Sequence, residues 1–395
     1  MPGAGPSPAA PPRDEGQGPE ARDQRAAFQV TEQTRTYPCR QCGAQLVFDI
    51  TKQQLACLSC GFAVDIDTSQ LDAPMERDLG STVAQIRAMA AKVEAPQVTG
   101  QKEIVCQNCG GHTTFSGTLT AVRCPYCATP IQRDDVHEAP ARIAVDGLLP
   151  FVVDRKVAEA NLDKWINSRW FAPTEFKKYN ETGSFQSVYT AYFTYDSDTR
   201  TFYQGERGDH YTVTVGSGDN QRTETRTRWS PRSGQVANDF DDITVLANDG
   251  IDRGRIKALE PWPTETAKAF SPEYVAGHLS RTYDRDVEQC YPEAKSIMDS
   301  EIRQTVRRDI GGDEQKIHRL DTKHLTLMFK HLLLPIWLLT VIYEGKPFQV
   351  YINGVTGEVQ GQRPWSKVKL AAAIIGAIVV VILGLIIYNS VGGSK

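Results

Sequence analysis

The chain has 395 residues, of which 40% are hydrophobic and 23% charged, and its formal net charge is -4. This length allows two or three domains, and the composition is that of an ordinary globular protein rather than a disordered or collagen-like one. Without a global basic excess, the molecule as a whole does not attract nucleic acid or anionic lipid, so any such binding has to be local.

Residues 1–35 are rich in Pro, Gly, Ala and charged residues. Such a segment cannot bury enough apolar surface to become ordered, so we predict a disordered tail. The tail also lacks the apolar stretch of a secretory signal peptide. We therefore expect the nine cysteines of the chain to lie in a reducing compartment and to serve a purpose other than a disulfide framework.

Eight of the nine cysteines form four Cys-x-x-Cys pairs, grouped in two modules in which fourteen residues separate the pairs. A Cys-x-x-Cys followed by Gly makes a tight knuckle, and two knuckles joined by a hairpin bring four sulfurs to one tetrahedral site. We predict zinc ribbons over residues 36–68 and 100–140. The predicted zinc ligands are Cys39, Cys42, Cys57, Cys60, Cys106, Cys109, Cys124 and Cys127.

The two predicted zinc ions are structural rather than catalytic, because a catalytic zinc keeps one position open for water. A module of about thirty residues is too small to fold around its own core, so the metal supplies much of its stability. Iron in a rubredoxin-like site and a redox thiol pair are the alternatives. Neither module is basic, and four thiolates add negative charge. We therefore expect the ribbons to bind a protein and not nucleic acid.

Residues 69–99 lie between the ribbons and carry apolar residues at helical spacing from Val83 to Val93. This pattern predicts a helical linker. The following residues, 141–365, predict a mixed α+β domain with an antiparallel sheet, because helix-start signals alternate with Thr- and Tyr-rich strand patterns.

Particular elements of this domain can be predicted from local signals. Asp154 can cap a helix, and Pro292 is placed to start another that stops at Gly311-Gly312. Polar strands are predicted over 188–246 with a turn at 216–220, and Asn353-Gly354 indicates a hairpin. The apolar run Leu332–Tyr343 is too short to cross a membrane and is predicted to be a buried strand.

The longest apolar run is Leu370–Ile387, which has no charged residue and would form about 27 Å of helix. We predict a transmembrane helix over 366–390 and a short tail over 391–395; a fully buried helix is the alternative. Basic residues concentrate on the N-terminal side of the run, which predicts a tail-anchored, single-pass protein of the bacterial inner membrane with its bulk in the cytoplasm.

No phosphate-binding loop, His-Glu-x-x-His or Gly-x-Ser-x-Gly motif occurs in the sequence, so we predict that the chain is not an enzyme. An unrecognised site in the α+β domain is the alternative. Asp239, Asp241 and Asp242 could hold a cation, although a solvated loop or strand end is the simpler interpretation. Cys290 is predicted to be a buried thiol at a helix end.

Several short motifs accompany the two ribbons and the final apolar run: Leu148-Leu-Pro-Phe151, Gly311-Gly-Asp313, Leu334-Pro-Ile-Trp337 and Asn353-Gly-x-Thr-Gly357. In this order they resemble a widespread bacterial family of membrane proteins with TFIIB-type zinc ribbons, some of which carry the label primosomal protein N′ (replication factor Y). One departure is Ala128, which follows Cys127 where the other knuckles have Gly.

The resemblance implies a membrane adaptor that works with flotillin-like (SPFH) or phage-shock-type proteins in envelope stress or membrane organisation. The alternative, which the replication label suggests, is a membrane-tethered zinc-ribbon protein that binds nucleic acid. The predicted fold class is α+β: two tandem zinc ribbons, a mixed α+β domain with an antiparallel sheet, and one C-terminal transmembrane helix.

Overall fold

A computed structural model describes the chain from Tyr37 onward, with gaps. The described residues are 37, 39–44, 46–67, 73–90, 101–105, 112–116, 122–123, 130–131, 136–138, 143–173, 184–217, 221–281, 283–344 and 346–392. For 101–138 and 385–392 the description is limited to the backbone. The predicted disordered tail over 1–35 lies outside the described residues.

The described secondary structure consists mainly of strands. These are β1 (Leu46–Asp49), β2 (Gln54–Cys57), β3 (Ala63–Val64), β4 (Arg77–Asp78), β5 (Gln101–Val105), β6 (His112–Ser116), β7 (Val122–Arg123), β8 (Pro130–Ile131), β9 (Val136–Glu138), β10 (Gly147–Leu148), β11 (Ser184–Val215), β12 (Arg222–Leu246), β13 (Lys268–Ala269), β14 (Leu279–Ser280), β15 (Glu314–His324), β16 (Met328–Tyr343), β17 (Lys346–Asn353) and β18 (Val359–Gly361). The helices are α1 (Leu79–Ala90), α2 (Arg155–Asn167), α3 (Arg253–Lys257), α4 (Val287–Ile310) and α5 (Lys367–Gly392), with short 3-10 turns at Thr264–Thr266 and Pro272–Val275.

The predicted α+β class is wrong, because 41% of the structure is strand and 28% helix. Ten strands form one mostly antiparallel sheet that curls into a half-barrel. The physical reason lies in β11 and β12, which are 32 and 25 residues long. β-Branched and aromatic residues favour extended backbone, and they recur along both strands. Of the predicted turn at 216–220, residues 216 and 217 follow the end of β11, and 218–220 lie outside the described residues.

The strand β16 is buried on both faces. Phe329, Leu333, Trp337 and Leu339 belong to one core cluster, and Leu332, Leu334, Ile336 and Leu338 to the other. Because successive side chains of a strand point to opposite faces, double-sided burial produces a continuous apolar sequence instead of an alternating one. The prediction of a buried strand over Leu332–Tyr343 is confirmed.

The helix α4 covers one face of the sheet. It begins at the N-cap Asp286, which forms a capping box with Gln289, and so starts before the predicted Pro292. Gly311 ends it, as predicted, with a φ of 66°. One stripe of the helix is buried against the sheet: Val287, Cys290, Ala294, Met298, Ile302, Val306 and Ile310. Cys290 is thus a buried thiol near the helix start.

Two other local predictions are confirmed. The side chain of Asp154 accepts a hydrogen bond from the Val157 N–H and caps α2. The Asn353 side chain accepts N–H bonds from Val355 and Thr356, at 2.8 and 3.0 Å, and shapes the turn between β17 and β18. Both signals are local hydrogen bonds of a side chain to nearby backbone, which is why the sequence reveals them.

The predicted helical linker is attached to the sheet. Its strand β4 pairs with the start of β16, and its helix α1 follows directly. The Nε and Nη2 atoms of Arg77 both donate to one carboxylate oxygen of Asp146, at 2.9 and 2.7 Å. The other carboxylate oxygen accepts the N–H of His331. The Asp146 side chain is 1% exposed, so this ion pair lies inside the protein.

The helix α5 starts against the body of the protein, where the Nζ of Lys369 donates to the Ala172 carbonyl at 2.8 Å. Within the described part of the chain, no helix is both long enough and apolar enough to cross a membrane; a crossing needs about 20 apolar residues. The predicted transmembrane helix over 366–390, the tail anchor and the single-pass membrane location with cytoplasmic bulk are therefore wrong for the described residues.

Replacing Arg77 by Met should destabilise the protein by about 3 kcal/mol, because it leaves the carboxylate of Asp146 buried without its partner. Burial already raises the pKa of Asp146, so the loss should shrink at acidic pH, where this carboxyl becomes neutral. The free energy of urea unfolding at two pH values measures both effects.

Arg87→Met is the matched control, since Arg87 also links the linker to the body but pairs with Glu288 at the surface, where the side chains are 69% and 53% exposed. Surface pairs contribute about 1 kcal/mol or less. Equal losses from the two substitutions would contradict the role assigned to Arg77.

Candidate metal centre

The sulfur atoms of Cys39, Cys42, Cys57 and Cys60 all lie within 4.8 Å of one another. The Cys39 and Cys60 sulfurs are 3.6 Å apart, and those of Cys42 and Cys57 are 3.5 Å apart. Four sulfurs at 2.3 Å from a tetrahedral zinc ion would be separated by about 3.8 Å. The four side chains of the first predicted ribbon are therefore together and could bind a metal ion.

The two knuckles have the same backbone geometry. Gly43 and Gly61 both have a φ of 75°, and their N–H groups donate to the carbonyls of Cys39 and Cys57, at 2.9 and 3.0 Å. A Cβ at either glycine would meet no atom within 4 Å. Glycine is therefore favoured here by backbone conformation and not by lack of space.

Backbone N–H groups point at the sulfurs. The N–H groups of Cys60 and Ser59 donate to the Cys57 sulfur and lower the pKa of that thiol to about 6. At Cys60 the N–H of Phe62 acts in the same direction, but burial and the neighbouring thiols outweigh it and raise the pKa to about 12. Thiolates this close repel one another, so a bound cation is what would let all four ionise together.

The centre is asymmetric in its exposure. Cys39 and Cys57 are buried, and Cys42 and Cys60 are exposed. The buried pair packs with Leu46, Leu55 and Ala276 in a small apolar cluster. One side of the centre therefore faces the body of the protein and the other faces solvent.

The hairpin β1–β2, predicted between the knuckles, forms as expected and docks on the sheet body. The Phe48 N–H donates to the Ala276 carbonyl at 2.9 Å, and the Phe48 ring meets Tyr274 edge-on at 5.3 Å. The Gln53 side chain donates to the Phe151 carbonyl at 2.8 Å. These contacts combine backbone, aromatic and side-chain interactions, so the ribbon has a defined position on the body.

A buried histidine lies beneath this contact. The ring of His278 stacks on Phe151 at 4.8 Å and meets Phe48 edge-on at 6.2 Å. Its Nδ1 lies 2.7 Å from the Ser187 hydroxyl, while its Nε2 is buried with no hydrogen-bond partner among the described residues. Burial lowers the pKa of His278 to about 4, so the ring is neutral near pH 7.

The second predicted ligand set, Cys106, Cys109, Cys124 and Cys127, lies outside the described residues. The backbone of strands around it is described. The predicted hairpin required β6 to pair with β7. Among the described residues, β6 pairs with β5 instead, and β7 pairs with β8. β5 also pairs with β9, so that β6, β5 and β9 form a three-stranded sheet.

The predicted acidic group has a different membership from the one expected. Carboxylates of Asp196, Asp241 and Asp242 lie within 4.8 Å of one another, and Asp239 is not among them. The Nζ of Lys330 lies 2.7 Å from Asp242 and 3.5 Å from Asp196, so a protein cation balances this cluster. Asp196 and Lys330 come from β11 and β16, and no signal in the sequence joins them to the acidic run.

Comparison with known proteins shows a chain of similar sequence. The uncharacterized protein YdjG of Bacillus subtilis (strain 168) is 26% identical over 351 residues, which cover 85% of this chain and 92% of YdjG. No known family model matches the chain, and no solved structure matches it. Membership of the TFIIB-type zinc-ribbon family therefore stays a prediction.

Replacing Cys39 and Cys42 by Ser should remove one equivalent of bound metal per chain, because two of four thiolate ligands are lost. Metal analysis of the purified protein measures the loss, and limited proteolysis should show new cleavage within residues 37–67. Cys290→Ala removes a buried thiol that is not part of the four-cysteine group and should leave the metal content unchanged. Full metal content in the Cys39/Cys42 variant would contradict the assignment of these ligands.

The neutral state of His278 should make stability depend on pH. Its folded pKa of about 4 lies below the ordinary value of about 6.5, so the unfolded chain binds more protons between these values and stability falls as pH drops through this window. The variant His278→Phe with Ser187→Ala should lose less unfolding free energy between pH 6.5 and pH 5 than the wild type does.

The matched control for this prediction is His318→Gln, because the His318 side chain is 55% exposed. Urea unfolding at the two pH values should give this control the pH dependence of the wild type. An unchanged pH dependence in the His278 variant would show that another group causes the loss.

Proposed function

We propose that this protein is a non-enzymatic adaptor whose zinc ribbons recruit a protein partner. The observation that carries the proposal is the closed four-cysteine centre, held on the sheet body with one side exposed. All four ligand positions are supplied by the protein, and a site without an open position favours structure over catalysis. A rigid, metal-stabilised module mounted at a fixed place is suited to recognition.

Zinc is the ion that best fits the centre. Four cysteine ligands in a tetrahedral arrangement are typical of structural zinc, and the 3.5 and 3.6 Å separations of sulfur pairs suit it. We assign the chain two such ions. In the first ribbon, Ala56, which precedes Cys57, pairs with Ala63, three residues after Cys60. In the second module, Arg123, which precedes Cys124, pairs with Pro130, three residues after Cys127. This common register supports a second ribbon.

The exposed side of the first ribbon has an apolar tip. Leu58 lies inside the second knuckle, between Cys57 and Cys60, and is 84% exposed. Val64 on β3 is 38% exposed. A protruding leucine on a rigid knuckle can enter an apolar pocket at little entropic cost, and a few such side chains dominate the energy of most protein interfaces.

For the partner we propose an envelope protein of the SPFH (flotillin-like) or phage-shock type, as the family resemblance implies. The test uses the purified full-length chain and such proteins from the same organism, and it measures direct binding by calorimetry. Leu58→Asp should weaken binding at least tenfold, because a buried apolar anchor is replaced by a charge, while the metal content stays unchanged.

Leu325→Asp is the matched control, since Leu325 is also an exposed leucine, at 56%, but lies on the body. It should bind as the wild type does, and the Cys39/Cys42 variant should not bind. If both ribbon variants bind like the wild type, the ribbon is not the docking module.

A further inference from the structure

The strands β11 and β12 extend beyond the rest of the sheet as a two-stranded arm. We call residues 209–215 and 222–228 the β-arm; seven cross-strand pairs span about 20 Å along it. The third strand, β15, pairs with β11 only as far as Gly208, and the end of α4 lies over Gly205, where the Ile310 side chain would contact an added Cβ. Asp313 and Glu314 contact the start of the β-arm at His210 and Thr227, and among the described residues no hydrogen bond or ion pair joins another element to the arm beyond them.

An isolated two-stranded hairpin is only marginally stable in water, and the base of the β-arm is firmly held. The Trp229 ring lies over Gly208, where an added Cβ would come within 3.0 Å of it, and the Lys316 ammonium stacks on the same ring at 3.7 Å. Glu314 accepts a hydrogen bond from Thr227 at 2.9 Å. These contacts therefore fix the base of the arm to the sheet.

One face of the arm and its base is rich in arginine. Directly paired residues of two antiparallel strands lie on the same face, and every second residue of a strand returns to that face. By the pairing of β11 with β12, this face carries five arginines and two carboxylates among the described residues: Arg207, Arg222, Arg226, Arg228, Arg232, Asp209 and Glu224. The chain as a whole has a net charge of -4, so the positive charge of this face is opposite in sign to that of the whole protein.

The two carboxylates of this face neutralise only part of its positive charge, and Asp209 pairs with Arg207 at 2.8 Å. Arg222 and Arg226 share Glu224, and their side chains are 76% and 54% exposed. Arg228 stacks over the Tyr211 ring at 5.1 Å. The face therefore presents net positive charge to solvent, and the guanidinium groups of Arg228 and Arg232 have no ion-pair partner among the described residues.

From this charge and shape we infer that the β-arm binds duplex DNA, with the arm in the major groove and its arginine face on the phosphates. The major groove of B-form DNA is about 12 Å wide and admits a two-stranded β-ribbon. Arginine binds phosphate through two parallel N–H bonds and stays charged. Arg226 and Arg228 are about 7 Å apart along the strand, a spacing that lets each reach a different phosphate.

Duplex DNA fits the surface better than an anionic lipid surface does. Segments that lie on membranes carry Trp, Phe or Leu to enter the lipid, and the described residues of the β-arm include none of these. The deep, narrow major groove of A-form RNA does not admit side chains for readout. The arm is also separate from the ribbons, so this inference is independent of the proposed adaptor function.

The test measures binding of the full-length chain to a fluorescent 20-base-pair DNA duplex by anisotropy between 50 and 200 mM salt. The wild type should bind with an affinity that falls steeply with salt. Arg222→Gln with Arg226→Gln and Arg228→Gln should weaken binding at least tenfold at 100 mM salt and reduce the log–log salt slope by about 2 to 3, because each phosphate contact contributes about 0.9 to it.

Two control variants distinguish the effect of the arginine face on DNA binding from the effect of the overall charge of the protein. Arg155→Gln with Lys156→Gln and Arg253→Gln removes the same charge elsewhere on the surface and should leave the affinity within threefold. Thr212→Ala with Thr214→Ala changes the opposite face of the arm and should do the same. Circular dichroism and the melting temperature confirm that each variant is folded.

Other results would overturn the inference. These are no salt-dependent binding by the wild type at 50 mM salt, wild-type affinity in the arginine triple variant, or equal affinity for duplex DNA and A-form RNA. Arm-dependent binding to phosphatidylglycerol vesicles without binding to DNA would also overturn it and would identify lipid phosphate as the ligand. Loss of zinc through the Cys39/Cys42 variant should leave DNA binding intact, which keeps this test separate from that of the ribbons.

Discussion

Neither face of β16 is available to water: one packs against the core under α4 and the other against the core beside α3. A strand in that position cannot slip, because a shift of one residue would exchange the two sets of side chains between cores of different shape. Its edges are occupied as well, by β11 on one side and by β4, β10 and β17 on the other. The linker, the loop under the ribbon and the base of the β-arm all take their places from strands that pair with β16 or with its neighbour β11.

The metal centre and the arm depend on this sheet in different ways. The ribbon is too small to bury much of its own surface. It therefore packs against the loop around Ala276 and against the region of Phe151 and Tyr274. The arm instead continues β11 and β12 beyond their buried portions, and the packing of Trp229 holds its base. In both cases a part that would be unstable alone gains its geometry from the sheet.

Local signals in the sequence were sufficient for the parts of the fold that short-range physics determines. The Asp154 cap, the turn at Asn353, the stop at Gly311 and the two knuckles each depend on residues a few positions apart. The same reasoning placed the start of α4 at Pro292, because proline is favoured in a first helical turn. It missed the capping box at Asp286, which lies six residues before Pro292.

The errors concern interactions between distant parts of the chain. The fold class depended on how far β11 would extend and on which strands it would pair with, and its partners come from four separate segments. The balance of the Asp196 and Asp242 carboxylates by Lys330 likewise requires three strands to meet. The last helix was read as a membrane span because its apolar run and the basic residues before it satisfy the sequence criteria for length, hydropathy and orientation.

The unequal exposure of the four cysteines has a kinetic consequence. For a metal ion held by the four cysteines, a competing ligand would reach Cys42 and Cys60 from solvent, whereas Cys39 and Cys57 are shielded by the cluster around Leu46, Leu55 and Ala276. Exchange of the ion would then proceed in two stages, with rapid detachment of the outer pair and slow release from the inner pair. The residence time of the metal would depend on how often the ribbon dissociates from the sheet. A partner that holds the ribbon against the sheet would therefore also slow the release of the ion.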